Sequence, residues 1–386
     1  MSSEDNSIKP FFALLRAGLW GDQGPVQEFN VHEFKDVDWG KVYQLAQEQS
    51  VQGIVLQGID WFKVQGSWTS QATKSMTKFT VPQVLLLQWI GEVQVIEQRN
   101  REMNGFIAEL IEKLRKDDIY ALLVKGQGVA QCYEKPLWRC SGDVDLLLSN
   151  DNYNKAKSTL IPIASEVTNE NTATKHQALI INGFDVELHG KMPFSLSKRV
   201  EDGIDEVLND LFCRGHVRSW DCNGTQVFLP SPDNDVILVF THFLYHFFIE
   251  GVGLRQICDW CRLLYTYKDS LNYELLESRI RKMGLMSEWK AFYNLASRYL
   301  GMPDLDSELT IHDSQFDKKA DRIMELVLES GNFGHNKDLS YRTRYSGITY
   351  KIVVAWRRLK DFASLIPVFP LDAPSFFVTY LFNKTK

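Results

Sequence analysis

Two aspartates one residue apart, Asp143 and Asp145, open the apolar run Leu146-Leu147-Leu148. In an extended strand, residues two apart share a face and stand about 6.6 Å apart, so their carboxylates can straddle one or two divalent cations. Two-metal phosphoryl-transfer sites set those cations about 3.5–4 Å from one another. Asp-x-Asp also arises at strand ends as a plain solvated pair. The apolar run behind this pair argues otherwise, because a buried strand does not carry two unpaired charges at its mouth without a partner. A third carboxylate stands in Phe184-Asp185-Val186-Glu187-Leu188-His189, where alternation puts Asp185, Glu187 and His189 on one face. Either acid can complete a metal site, and Glu187 is preferred because core-type residues flank it on both sides.

These residues need elements to position them. Ile119-Tyr-Ala-Leu-Leu-Val-Lys-Gly126 is an apolar run too brief for a helix and ended by glycine, as a buried strand is. Gly128 to Glu134 has room for one or two helical turns, and Lys135 to Gly142 reads as a loop leading into the aspartate strand. Asp151 and Asn152 are candidate caps for a helix over 151–160. Residues 177–190 read as two strands joined at Asn182-Gly183, the strongest short hairpin signal. Before this mixed segment, apolar residues recur at three- and four-residue spacing, most clearly from Pro82 to Lys116; after it, residues 231–250, 253–267, 271–283 and 287–300 read as helices. The expectation is an α+β chain with a helical region over 1–116, a mixed core over 117–230 and a helical region over 231–386. Asn332 to Ser346 reads as a long exposed loop.

The segment around the acids resembles the nucleotidyltransferase superfamily that includes DNA polymerase beta and the aminoglycoside nucleotidyltransferases, and within it a poorly characterised bacterial family. Leu123-Val124-Lys125-Gly126 is similar to that family's Lys-Gly turn. Arg139 to Leu148 is similar to its Arg-x-x-x-Asp-x-Asp strand, and Val186 to His189 to its strand ending Glu-x-His. The likeness is close over about 118–190 and looser through His242, His246, Arg255 and Asp259. It implies a small mixed sheet with flanking helices, with Asp143 and Asp145 coordinating magnesium, or manganese, bound to a nucleoside triphosphate. It also implies that Glu187 activates the hydroxyl of an acceptor or holds a second cation. Lys125, Gly126, Gln127, Arg139, His189, His242 and Arg255 would line the nucleotide site. The wider superfamily has Gly-Ser or Gly-Gly where this chain has Lys125-Gly126-Gln127-Gly128. Here the lysine supplies a full positive charge, and the Gly126 backbone permits close approach of phosphates.

Other residues admit plainer readings. His242 and His246 share a helix face and stand among Phe and Leu as core-facing polar residues, unless one of them lines the pocket with Arg255. A metal-dependent hydrolase built on these two would need a further ligand. Asp259, four residues after Arg255, is placed to pair with it. Cys258 and Cys261 form a CxxC with no second ligand pair at finger spacing, so they read as helix thiols. Trp138, just before the aspartate strand, is the aromatic best placed to stack on a base. A net charge of −6 argues against a broad nucleic-acid surface. No apolar stretch is long enough to span a membrane, and the acidic start does not read as a signal peptide, which points to the cytoplasm. The acceptor has no signature in the sequence.

Overall fold

The computed structural model describes all residues except 1–5, 24–33, 35, 69–79, 173, 193–195, 306–308, 310–312, 335, 337–346 and 385–386. Most of the loop expected over 332–346 therefore lies outside the described residues. The chain opens with α1 (Ile8–Trp20), α2 (Trp39–Glu48), α3 (Gln52–Trp68) and the long α4 (Gln83–Lys116). The helical pattern running through 41–59 is broken between α2 and α3, where Ser50 takes a left-handed φ of 55°.

The mixed segment follows: β1 (Ala121–Val124), α5 (Gly126–Ala130), β2 (Asp143–Leu148), α6 (Asn150–Leu160), β3 (Glu166–Val167), β4 (His176–Ile181), β5 (Phe184–His189), α7 (Lys198–Phe212), β6 (Val217–Cys222) and β7 (Thr225–Pro230). The cap of α6 is Ser149, whose side chain accepts from the Asn152 amide, rather than Asp151 or Asn152. Then come α8 (Pro232–Ile249), α9 (Leu254–Thr266), α10 (Tyr273–Met283), α11 (Met286–Leu300) and α12 (Asp317–Ser330), before helices over Gly347–Leu365 and Asp372–Lys384. No helix among the described residues is long and apolar enough to cross a membrane.

The described strands form one sheet in the order β3-β4-β5-β2-β1-β7-β6. The β2–β5 and β1–β7 pairs are parallel; the others are antiparallel. Asn182 and Gly183 both adopt positive φ (52° and 78°), as a two-residue hairpin turn twisting with its strands requires. Asn223 and Gly224 repeat this (53° and 85°) in the β6–β7 hairpin.

Period-two alternation assigns each strand residue to a face. Leu123, Val144, Leu146, Leu148, Val186 and Leu188 pack with Ile107, Ile111 and Leu114 of α4 and Tyr153 of α6 into one core. Leu122, Val124 and Leu147 face the other way, into a larger core with the helices that precede and follow the sheet. Those helices are also joined by hydrogen bonds: Trp20 Nε1 donates to Leu300 O at 2.6 Å and Arg262 Nη1 to Leu19 O at 2.7 Å. Each buried Val or Leu contributes about 1.5–3 kcal/mol. A one-residue slip of β2 would drive its acids into the α4-side core, so the register is fixed by burial.

Candidate functional site

The parallel register of β2 and β5 sets Asp143 beside Asp185 and Asp145 beside Glu187. Since Val144 and Val186 belong to the α4-side core, the acids turn to the opposite face. One carboxylate oxygen from each of Asp143, Asp145 and Glu187 lies within 4.8 Å of the others. Asp185, the alternative third acid, is exposed and joins no such group among the described residues.

Lys125 stands where β1 turns into α5, with φ 58° and ψ −146°, a conformation ordinarily left to glycine and costing about 1–3 kcal/mol in other residues. Gly126 follows with φ 40°, so close to the aspartate strand that a Cβ there would meet Asp143 O at 3.3 Å. The strained turn brings Lys125 Nζ to 2.7 Å from Asp145 Oδ1. His189 Nε2 reaches the same oxygen at 2.8 Å and Glu187 Oε2 at 3.4 Å. His176 Nε2, from β4, lies 3.1 Å from Glu187 Oε2.

The charges are strongly coupled. The Asp145 carboxylate beside Asp143, together with burial, raises the Asp143 pKa, against the pull of Lys125. Burial opposes ionisation of Asp145 as well, but Lys125 and His189 outweigh it and hold that pKa below the usual carboxylate range. Burial likewise disfavours charge on Glu187, and hydrogen bonds from His176 and His189 reverse the effect. Lys125 is kept cationic against burial by Asp145, Asp143 and Glu187, and His189 is pulled up against burial by Asp145 and Glu187.

The expected nucleotide-site residues divide into two groups. Lys125, Gly126 and His189 lie at the acids. His242 and Arg255, on α8 and α9, lie within electrostatic reach of this group: burial first, then Lys125, His246, His189 and Arg255, depress the His242 pKa. Arg255 acts electrostatically on Asp143 and donates to Cys140 O at 2.8 Å. His242 and His246 lie ring to ring at 4.5 Å and join no three-ligand cluster among the described residues.

Arg139 and Gln127 are instead engaged within the protein. Arg139 Nε and Nη2 donate to the two oxygens of Asp259 at 2.7 and 2.6 Å, and Nη1 donates to Ser141 Oγ at 2.9 Å. Tyr133 adds its hydroxyl to Asp259 at 2.8 Å, so the expected Arg255–Asp259 pairing gives way to one with a residue 120 positions away. Gln127 donates to Asn100 Oδ1 at 2.7 Å, while the Asn100 amide holds Leu137 O and Arg139 O, both at 2.8 Å. The loop before β2 is thereby fastened to α4 and α9. Trp138 donates to Glu97 at 2.8 Å and carries Lys135 Nζ over its ring at 3.6 Å, so that a face expected to be open for a base is already in use. Cys258 and Cys261 are buried free thiols with pKa values raised by burial.

Sequence reading missed His176, although the signal was present. A two-residue turn pairs residues equidistant from Asn182-Gly183, which places His176 opposite His189.

The sheet and its acid-bearing face thus define a nucleotidyltransferase-type α+β protein. Residues 35–301 match the model of a family described as uncharacterised nucleotidyltransferase, and the chain belongs to that family. It is similar to the solved structure of an antigenic nucleotidyltransferase-like protein from Paracoccidioides brasiliensis, with 14% identity and a TM-score of 0.33, over 55% of this chain and 97% of that one. No curated protein matches the chain.

Proposed function

We propose that this chain transfers a nucleoside monophosphate from a nucleoside triphosphate to a hydroxyl acceptor. The acceptor oxygen forms a bond to the α-phosphorus as the bond to pyrophosphate breaks, and the hydroxyl proton is released to base or solvent. The observation that carries this reading is the convergence of three carboxylates from two parallel strands beside Lys125. Their all-oxygen donor set and excess negative charge suit a hard divalent cation. Asp143, Asp145 and Glu187 would hold magnesium, or manganese in its place, which when bound offsets triphosphate charge and polarises the phosphoryl oxygens.

Lys125 and Arg255 add positive charge next to the acids, where phosphate oxygens need it, and Gly126 leaves room for them. Arg139 and Gln127 act at one remove, by fixing the loop that enters β2. The hydrogen bonds from His176 and His189 keep Glu187 ionised, which suits holding a cation better than taking up a proton.

The test is incubation of the chain with each labelled triphosphate, magnesium and a cell extract, then identification of the labelled product. Asp143→Ala and Asp145→Ala should each abolish labelling; full labelling by both variants would refute the assignment.

One observation favours a second reading, a non-catalytic nucleotidyltransferase-fold binding or regulatory module: Lys125 and His189 both already neutralise Asp145. Thermal stabilisation by ATP or CTP with magnesium supports the enzyme, and its absence supports the module.

A further inference from the structure

The β4–β5 hairpin carries another constellation on the acid-bearing face. Its turn sets His176 opposite His189, and facing strand residues stand about 4.5–5.5 Å apart at Cβ. Glu187 precedes His189 by two residues and shares its face. The ring centroids of the two histidines are 4.9 Å apart. His176 Nε2 and His189 Nε2 approach the same Glu187 oxygen at 3.1 and 3.4 Å, and one ligand atom from each residue lies within 4.8 Å of the others. Metal–nitrogen and metal–oxygen bonds of about 2.0–2.1 Å put neighbouring ligands of a tetrahedral ion roughly 3.3 Å apart, matching the two nitrogen–oxygen distances. The His176 and Glu187 side chains are 30% and 31% exposed, so an ion has a way in.

A hydrogen-bonded cluster without an ion would also join a carboxylate to two imidazoles. In that plainer reading His189 Nε2 bonds Asp145 Oδ1 at 2.8 Å, closer than Glu187; a cation would exchange that bond for a metal bond and satisfy both ring nitrogens and the Glu187 oxygen at one point. His189 Nδ1 sets the strength of the site, being buried without a hydrogen-bond partner among the described residues. Metal-bound imidazoles ordinarily pass the other N–H to an acceptor, and losing that partner weakens binding roughly 10–100-fold. An exchangeable cation is expected, not a permanent one.

We propose that His176, Glu187 and His189 form a second cation site, sharing Glu187 with the three-carboxylate group, that takes a borderline transition cation such as Mn²⁺, Co²⁺ or Zn²⁺ in preference to magnesium. Imidazole nitrogen suits those ions, whereas magnesium is held by oxygen. The inference builds on the proposed nucleotide chemistry by giving its two sides different cations, but it is read out by binding alone.

Metal-stripped full-length chain is titrated with Co²⁺ in excess magnesium, followed by calorimetry and visible absorption. The wild type should bind a Co²⁺ that magnesium does not displace, with the spectrum of nitrogen ligation. His176→Ala should weaken that binding by about tenfold or more, while Asp143→Asn should retain it. A folded His176→Ala protein, checked by circular dichroism, with wild-type affinity and spectrum would overturn the proposal; so would displacement of all bound Co²⁺ by magnesium. His176-dependent Co²⁺ binding without nucleotide transfer from any triphosphate would support this site and count against the proposed enzyme.

Discussion

Two clusters of buried charge lie close together in this molecule and are built on opposite plans. In the Arg139–Asp259 cluster one cation meets one anion, with side chains 5% and 7% exposed, through a two-pronged contact that Tyr133 and Ser141 complete. The charges cancel and the donors are used. The other cluster gathers three carboxylates around Lys125, and mutual repulsion shows in the raised pKa of Asp143. A balanced buried pair holds a loop in place, while an unbalanced one sets up a charge that an incoming ligand can relieve.

Removing one side of each cluster tests the contrast. The largest stability loss is expected from Asp259→Ala, which strands the Arg139 guanidinium: about 3–5 kcal/mol, measured by denaturant unfolding. A loss under about 1 kcal/mol would show that the pair is not the strut described. Lys125→Met comes next, at about 1–3 kcal/mol in cation-free protein. Because Asp145 then keeps His189 as its one partner among the described residues, added divalent cation should restore more stability to this variant than to the wild type in thermal melts. Equal cation responses would mean that the ammonium and the cation do not share a site.

The smallest effect belongs to a third buried acid. Asp210 accepts from Asn234 at 3.0 Å, His216 at 2.9 Å and Arg279 at 3.1 Å. Burial opposes its charge, but these bonds hold its pKa below the usual carboxylate value. A depressed folded-state pKa gives stability that is present above the unfolded value and is lost as pH falls through the folded one. The melting-temperature gap between wild type and Asp210→Asn, equivalent to about 1 kcal/mol near neutrality, should therefore close below about pH 4. A gap unchanged down to pH 3 would remove Asp210 from the acid response.

The residues that local rules govern were the legible ones. Asp143 and Asp145 announced a strand mouth because leucines follow them, and Asn182-Gly183 announced a hairpin because both residues tolerate left-handed φ. The same signal at Asn223-Gly224 passed unread, and with it β6 and β7. The two-residue β3 is too short for any periodicity to register. Arg255 was expected to take Asp259 because helix neighbours four apart touch, but that rule ranks only local partners. Arg139, distant in sequence, offers a planar fork matching both carboxylate oxygens.

Sequence alone determined which face each strand residue takes and where the hairpin turns, since side-chain alternation and backbone handedness depend on a few adjacent residues. Only the tertiary structure decided that β5 lies parallel to β2 with Glu187 beside Asp145, and that α8 and α9 bring His242 and Arg255 within electrostatic reach of the site. Those neighbours are tens of residues apart or more, and what joins them is burial of the two cores on either side of the sheet, which depends on the folded chain as a whole.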